Sequence, residues 1–370
     1  MSVAVVLDSS TTEHLAGPAH KVERSNTAAI IAGDTAGMNP AVVEALRHVI
    51  VLHRCEEDPS LRRSIHRAVA RGDLVRLVRG SFIARSVLKD MRPWEVELLR
   101  VVTAAQHGRV RQPICGLSAA RVWGVPILED DHSPLVHALG WHQHAARRTS
   151  DVQYWATTET RALVVVRNGV LVTDLARTIA EMGARAPFAR AVAAIDWAVR
   201  VRCRPGEPVT SIDEIRNAAD ALGLVRGRAR LERALSFADG RAESPGESWA
   251  RVLFHELGFE APELQHEYQM PDGRRFRTDF RWGSVRVAGE FDGEIKYRAG
   301  EARGGRSVEQ VVIDEKARED AVRSTGDGML RCVWADLRDS RRLRQRAETA
   351  GVPRRAQNGR TPPKWTLNTA

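Results

Sequence analysis

The chain has 370 residues, 43% hydrophobic and 28% charged, with a formal net charge of +9 and a pI near 10.0. That length suggests two or three domains, and no apolar run approaches the roughly 20 residues of a membrane span. The basic balance favours a polyanionic partner, most simply nucleic acid.

Residues 1–34 are small, polar and weakly patterned, and read as a mobile leader without the basic and apolar regions of a signal peptide. Four cysteines, Cys55, Cys115, Cys203 and Cys332, are scattered without CxxC spacing. They read as core thiols of a cytoplasmic protein, neither a zinc site nor a disulfide frame.

Residues 35–90 read as a winged helix. Asn39-Pro40 caps a first helix, Asp58-Pro59-Ser60 starts a second, and Leu74 to Ile83 form short strands around Arg79-Gly80. Arg62, Arg63, Arg67, Arg76 and Arg79 load this module with positive charge. They suit phosphate contacts with the second helix in a major groove, or a merely solvated face.

Residues 91–203 alternate helix and strand. Helices are expected at Trp94–Ala105, Ser118–Gly124, Asp174–Met182 and Phe188–Val199. Strands are expected at Leu135–Leu139, Val152–Trp155, Leu163–Arg167 and Val170–Val172. His137, His142 and His144 near Trp141 allow either a metal site or exposed loop histidines. Residues 204–240 read as an arginine-rich helical linker.

Residues 241–346 carry the strongest chemical signal. Ser244-Pro245-Gly246-Glu247 opens a helix closed by Gly258. Glu247 there either compensates the helix dipole or adds an acid to a site. Phe276–Trp282 and Val285–Phe291 read as a hairpin turning at Gly283-Ser284. This pairs Asp279 with Ala288 and puts Asp279, Glu290 and Asp292 on one face. Asp279 and Glu290 are then diagonal neighbours, roughly 7–8 Å apart, within joint reach of one hard cation such as Mg²⁺ or Mn²⁺. Such an ion would offset charge on a phosphate and lower the pKa of a bound water. Lys296 could orient that water or stabilise the phosphate. The bland alternative is a solvated face, since Arg275, Arg277, Arg281 and Arg286 share the hairpin. A helix over Val308–Ser324 and a strand at Leu330–Trp334 follow, and residues 347–370 read as a disordered basic tail.

Two resemblances sharpen this reading. The stretch Arg241–Leu337 resembles the very-short-patch-repair-endonuclease-like branch of the PD-(D/E)XK superfamily. The matching residues are Ser244–Ser248, Thr278-Asp279-Phe280, Glu290–Gly293, Lys296-Tyr297, Glu315–Asp320 and Arg331–Leu337. The N-terminal half resembles the AbiEi-type antitoxin of type IV toxin–antitoxin systems, through Gly72–Phe82, Leu117–Pro126 and Leu171–Glu181. Together they imply an α/β multidomain protein: a winged helix, a middle α/β region and a restriction-endonuclease-like α-β-β-α-β domain. They also imply a metal site of Asp279, Glu290 and Asp292, assisted by Lys296, with Glu247 as the first-helix acid. Thr278 replaces the proline that precedes the first acid, and Lys296 follows Glu290 by six residues instead of two, unless Glu294 is the acid of the motif. Two readings follow. One is a Mg²⁺-dependent endonuclease acting on double-stranded DNA. The other is a non-catalytic antitoxin-like regulator with a cognate toxin and a degenerate nuclease fold. An RNA-directed nuclease is the third possibility, since the sequence does not separate RNA from DNA, and the oligomeric state stays open.

Overall fold

The computed structural model describes residues 38–52, 59–107, 110–128, 135–140, 147–157, 163–201, 207, 209–293, 318 and 320–355. The leader 1–34, Lys296, His142, His144, Cys55 and Cys203 lie outside them. The protein is a mixed α/β chain of two units, Met1–Pro187 with Cys203–Phe237, and Phe188–Arg202 with Ala238–Ala370. Among the described residues, no helix is long and apolar enough to cross a membrane.

In the first unit, the Asn39 carboxamide oxygen caps helix α1 (Pro40–Leu46), accepting from Ala41 N at 2.9 Å. This follows from a short side chain that reaches the unpaired first-turn amides. Strand β1 (Ile50–Val51) and helix α2 (Pro59–Arg71) follow. Strands β2 (Leu74–Val78) and β3 (Ser81–Ala84) then build an antiparallel sheet of order β1-β3-β2. Ile65 and Ala68 of α2 pack on Leu74 and Phe82. A single turn, α3 (Arg85–Leu88), leads into α4 (Pro93–Gln106).

The expected boundary at residue 90 is not a division of the core. Val42, Leu46, Leu77 and Ile83 share one apolar cluster with Leu99 and Val102 of α4, and with Ile114, Val152 and Val172 beyond it. The physical reason is the broad apolar face of α4, which buries Leu98, Leu99, Val101, Val102 and Ala104.

The middle region follows its expected periodicity. Helix α5 (Gly116–Trp123) ends on left-handed Gly124. Strands β4 (Val136–Gly140), β5 (Arg147–Arg148) and β6 (Val152–Ala156) form a sheet of order β4-β6-β5, and β7 (Val164–Arg167) pairs with β8 (Val170–Thr173). Ile114 bridges Ala138 and Val172, joining the two sheets. Helix α6 (Leu175–Arg185) is capped by Asp174 and packs against α5. Helices α7 (Phe188–Ala198), α8 (Ile212–Ala221) and α9 (Arg228–Phe237) follow. Helices α8 and α9 pack on α6, so the stretch expected to be a linker is part of the first unit.

Helix α7 was expected in the middle region but belongs to the second unit, where it packs on α10 (Pro245–Glu256). A buried ion pair explains the attachment. Arg251 Nη2 lies 2.7 Å from Asp196 Oδ2, and both side chains are buried. The other Asp196 oxygen accepts from Asp239 N at 2.7 Å. Burial nevertheless pushes the Asp196 carboxyl up, against the pull of Arg251.

The second unit's sheet has order β12-β11-β10-β9, from β9 (Glu263–Gln269), β10 (Arg275–Trp282), β11 (Val287–Asp292) and β12 (Gly328–Val333). β9, β10 and β11 run antiparallel in turn, and β12 runs parallel to β11. The sequence order of helix, strand, strand, helix, strand therefore lacks one element. β9 escapes notice because ELQHEYQ is polar and buries only Leu264 and Tyr268, and strand patterning is weak on an exposed edge. Helical residues 320–324 precede β12, and α11 (Trp334–Arg338) and α12 (Ser340–Thr349) follow it. The packed chain also runs past residue 346, where the tail was expected to begin. Ala347 and Val352 are buried, and Arg354 bridges Phe259.

Phe280 and Trp282 of β10 pack edge-on against Phe254 of α10, and Phe291 of β11 packs edge-on against Trp334 of α11. Gly246 admits the Phe291 ring: a Cβ there would come within 2.0 Å of it. Replacing Arg251 by Met should leave Asp196 buried without its cation and destabilise the protein by about 3–5 kcal/mol. Urea unfolding of the variant measures this, and an unchanged midpoint would rule out the pair as the anchor of α7.

Candidate active site

The hairpin exists, with a register two residues from the one expected. Trp282 pairs with Val287, Arg281 with Ala288 and Phe280 with Gly289. The turn is thus four residues, Gly283–Arg286, with Arg286 at φ 56°. Because strand faces alternate with period two, a two-residue shift leaves every side chain on its expected face. It changes the spacing: one step beyond Phe280↔Gly289 sets Asp279 directly opposite Glu290, not diagonal to it. Asp279 Oδ2 accepts from Phe291 N at 2.8 Å, so this carboxylate is fastened to the neighbouring strand. Gly289 serves the apolar side, where a Cβ would press within 3.1 Å of Phe280 and Trp282.

Glu247 joins this pair from the first turn of α10. Its Oε2 accepts from Glu243 N at 2.9 Å and from Gln265 Nε2 at 2.9 Å. Gln265 is the irregular residue of β9, with φ 55°. The kink lies where the register would set Gln265 against Asp279, between Thr278↔His266 and Phe280↔Leu264.

The electrostatics record the crowding of these acids. Burial, and then the charge of Asp279, push the Glu247 carboxyl up to about 8. Burial pushes Glu290 up to about 7, with Asp279 and Asp292 raising it further and Arg318 and Arg331 opposing. Glu247 and Glu290 are almost fully buried, at 6% and 4% exposure. Like charges in a desolvated site disfavour joint ionisation.

Two arginines answer this charge. Arg318 Nη2 lies 2.7 Å from Glu290 Oε2, and Arg331 Nη1 lies 2.9 Å from Asp292 Oδ2. Arg318 is half-buried against Glu290. Neither partner was legible in the sequence, since Arg318 lies 28 residues and Arg331 39 residues from the acids they meet. Asp292 Oδ1 is buried and has no hydrogen-bond partner among the described residues.

Among the described residues, the acids of the site offer carboxylate oxygens, the donors of a hard cation. Among the described residues, no group of three or more His, Cys, Asp or Glu is gathered closely enough to hold a metal. The expected trio of Asp279, Glu290 and Asp292 is therefore not a closed cage. The facing pair Asp279 and Glu290 still fits Mg²⁺, which takes one or two carboxylates and keeps several waters. The orphaned Asp292 oxygen adds unspent acceptor capacity beside them. A cleft of about 510 Å³ opens beside the site, lined by Arg241 and by Glu263, Gln265 and His266 of β9.

The arginines of the first unit are less uniform than expected. Arg62, Arg63 and Arg67 are exposed on α2. Arg76 is tied to Asp151 at 2.6 Å, and the same carboxylate takes the Arg79 backbone N–H at 2.6 Å. Asp151 thus holds the β2–β3 turn. His137 stacks on Trp155, their rings 5.2 Å apart.

No family model matches the chain. Over 136 residues it is 36% identical to "Uncharacterized protein MT2308" of Mycobacterium tuberculosis (strain CDC 1551 / Oshkosh) and to "Uncharacterized protein Rv2248" of Mycobacterium tuberculosis (strain ATCC 25618 / H37Rv). The match takes in 36% of this chain and 47% of each relative, so the chain spans about half the length of the curated relatives it matches.

Proposed function

We propose that this chain is a DNA-binding protein whose second unit is a metal-dependent endonuclease of the restriction-endonuclease-like type. The observation that carries this reading is the convergence of Glu247, Asp279 and Glu290 from α10, β10 and β11. Glu247 and Glu290 are buried and Asp279 is half-buried, and acidity is depressed at the first two. Packing alone gives no reason to bury Glu247 and Glu290 beside a third carboxylate, whereas a cation and a phosphate do. The element order of α10, three antiparallel strands, a helical segment and a parallel strand supports the same type of fold.

Asp279 and Glu290 would hold the Mg²⁺ or Mn²⁺, which when bound offsets phosphate charge and acidifies a water. Gln265 and the Glu243 N–H hold Glu247 in place beside Asp279. Arg318 supplies the positive charge next to Glu290 that the sequence assigned to Lys296, a residue outside the described ones. The partner is duplex DNA, contacted in the first unit by Arg62, Arg63 and Arg67 of a winged-helix-like module.

A second reading is favoured by one observation. Arg318 and Arg331 already neutralise Glu290 and Asp292, as in a nuclease fold that only binds. In that case the chain is an antitoxin-like regulator with a cognate toxin. Plasmid cleavage separates the two. With Mg²⁺ or Mn²⁺ in place of EDTA, the wild type should nick or cut plasmid. Asp279→Asn or Glu290→Gln should slow this by at least about 100-fold, the scale of losing one charge-stabilising group. Cleavage that survives both substitutions excludes the site, and metal-independent binding without cleavage selects the regulator.

The raised carboxyls also predict a pH dependence. Glu247 and Glu290 hold their protons to about 8 and about 7 in the folded chain, against an ordinary 4.5. Between those limits the folded state binds more protons than the unfolded one, so stability falls as pH rises. Glu247→Gln, uncharged throughout, should flatten the fall in Tm between pH 5 and 8, on the order of the window these shifts define. At the alkaline end, excess Mg²⁺ should raise the Tm of the wild type more than that of Glu290→Gln. Equal cation responses in the two proteins would contradict metal binding at Glu290.

A further inference from the structure

The corner between α11 and α12 carries a charge pattern that neither the acidic site nor the core requires. Residues 338–346 read RDSRRLRQR, with five arginines and a single acid. Leu343 and Ala347 turn inward, and Arg338, Arg341, Arg342, Arg344 and Arg346 are exposed. A solvated helix usually relieves such charge with acids one turn away. Here the acid one turn beyond Arg344, Glu348, is taken by Arg354. Arg342 and Arg346, themselves one turn apart, share a face where like charges are unfavourable.

That pair is nonetheless held in place from below. Asp336 is fully buried. Its Oδ2 accepts from Val333 N at 3.0 Å, closing the turn out of β12. Its Oδ1 lies 3.0 Å from Arg346 Nε and 3.5 Å from Arg342 Nε. Both arginines thus stand within ion-pair range of Asp336 Oδ1, which takes no hydrogen bond among the described residues, while their side chains stay about half exposed, at 47% and 54%. A guanidinium held by charge and not by hydrogen bonds keeps its N–H groups for another acceptor, such as the oxygens of a phosphate.

We propose that this corner is a contact surface for the phosphate backbone of duplex DNA, with Arg342 and Arg346 as its preset pair, Arg338, Arg341 and Arg344 as flanking charges, and Asp336 as the positioning residue. The inference deepens the proposed function and rests on its choice of DNA as partner, but not on cleavage. The surface is separate in sequence from the α2 arginines. Asp336 joins it to β12, the strand that pairs with the acid-bearing β11.

Duplex oligonucleotide binding by the full chain, measured in EDTA across a series of salt concentrations, tests the surface. Each lost phosphate contact lowers the slope of log K against log[salt] by about 0.9. The double variant Arg342→Gln/Arg346→Gln should therefore lose about 1.8 from the slope, while Arg342→Lys/Arg346→Lys, which keeps the charge, should lose far less. Arg344→Gln, which disturbs no ion pair among the described residues, should lose about 0.9 and keeps the test valid if the double variant misfolds. A wild-type slope in Arg344→Gln and in a folded double variant, or no duplex binding by the wild type, overturns the proposal. Binding that follows the expected slopes without any cleavage in Mg²⁺ leaves the surface standing and removes only the nuclease reading.

Discussion

Strand β11 is the constraint on which the second unit depends. It lies between β10, antiparallel, and β12, parallel, and five of its six residues are buried. One face meets rings: Phe291 packs on Trp334, and Gly289 lies under Phe280 and Trp282. The other face bears Glu290. An acid in the middle of a covered sheet costs desolvation energy, so its neighbours must supply compensation. Arg318 and Arg331 do so from the helical segment and from β12, and their placement follows from the topology that lays β12 parallel to β11.

The same strand explains why the acids sit where they do. Aromatic packing of β10 against α10 and of β11 against α11 holds the two strands in register, and that register sets Asp279 opposite Glu290. α10 brings Glu247 to the same place because its first turn passes close over Phe291, an approach that needs Gly246. The apolar layer is therefore what gathers the carboxylates. Their mutual repulsion is an outcome of packing on the opposite face.

Buried ion pairs recur in this protein at points where long-range attachment is needed. Asp196 and Arg251 secure α7 to α10. In the first unit, Arg177 binds Glu181 at 3.0 Å, and the second Glu181 oxygen accepts from Gly116 N at 2.9 Å. That contact fixes the start of α5 against α6. Asp327, just before β12, makes a comparable link, taking the Tyr268 hydroxyl at 2.7 Å and Arg281 Nε at 2.8 Å. A chain this rich in arginine has many candidate pairs, and nothing local in its sequence distinguishes these from solvated charges.

Periodicity and capping residues by themselves determined most helices and strands of the first unit, the α10 helix from Ser244 to Gly258, and the hairpin with its acidic and apolar faces. Those features are local: a cap, a glycine stop or an alternation of two needs only a few neighbouring residues. The tertiary structure alone decided the rest. It added the polar edge strand β9, moved the hairpin register by two residues, merged the core across residue 90 and assigned α7 to the second unit. It also joined Arg318 and Arg331 to Glu290 and Asp292, and Arg342 and Arg346 to Asp336. Each of these turns on which distant groups compensate a buried charge or fill a space beside a ring, and such partners are chosen by packing, not by spacing along the chain.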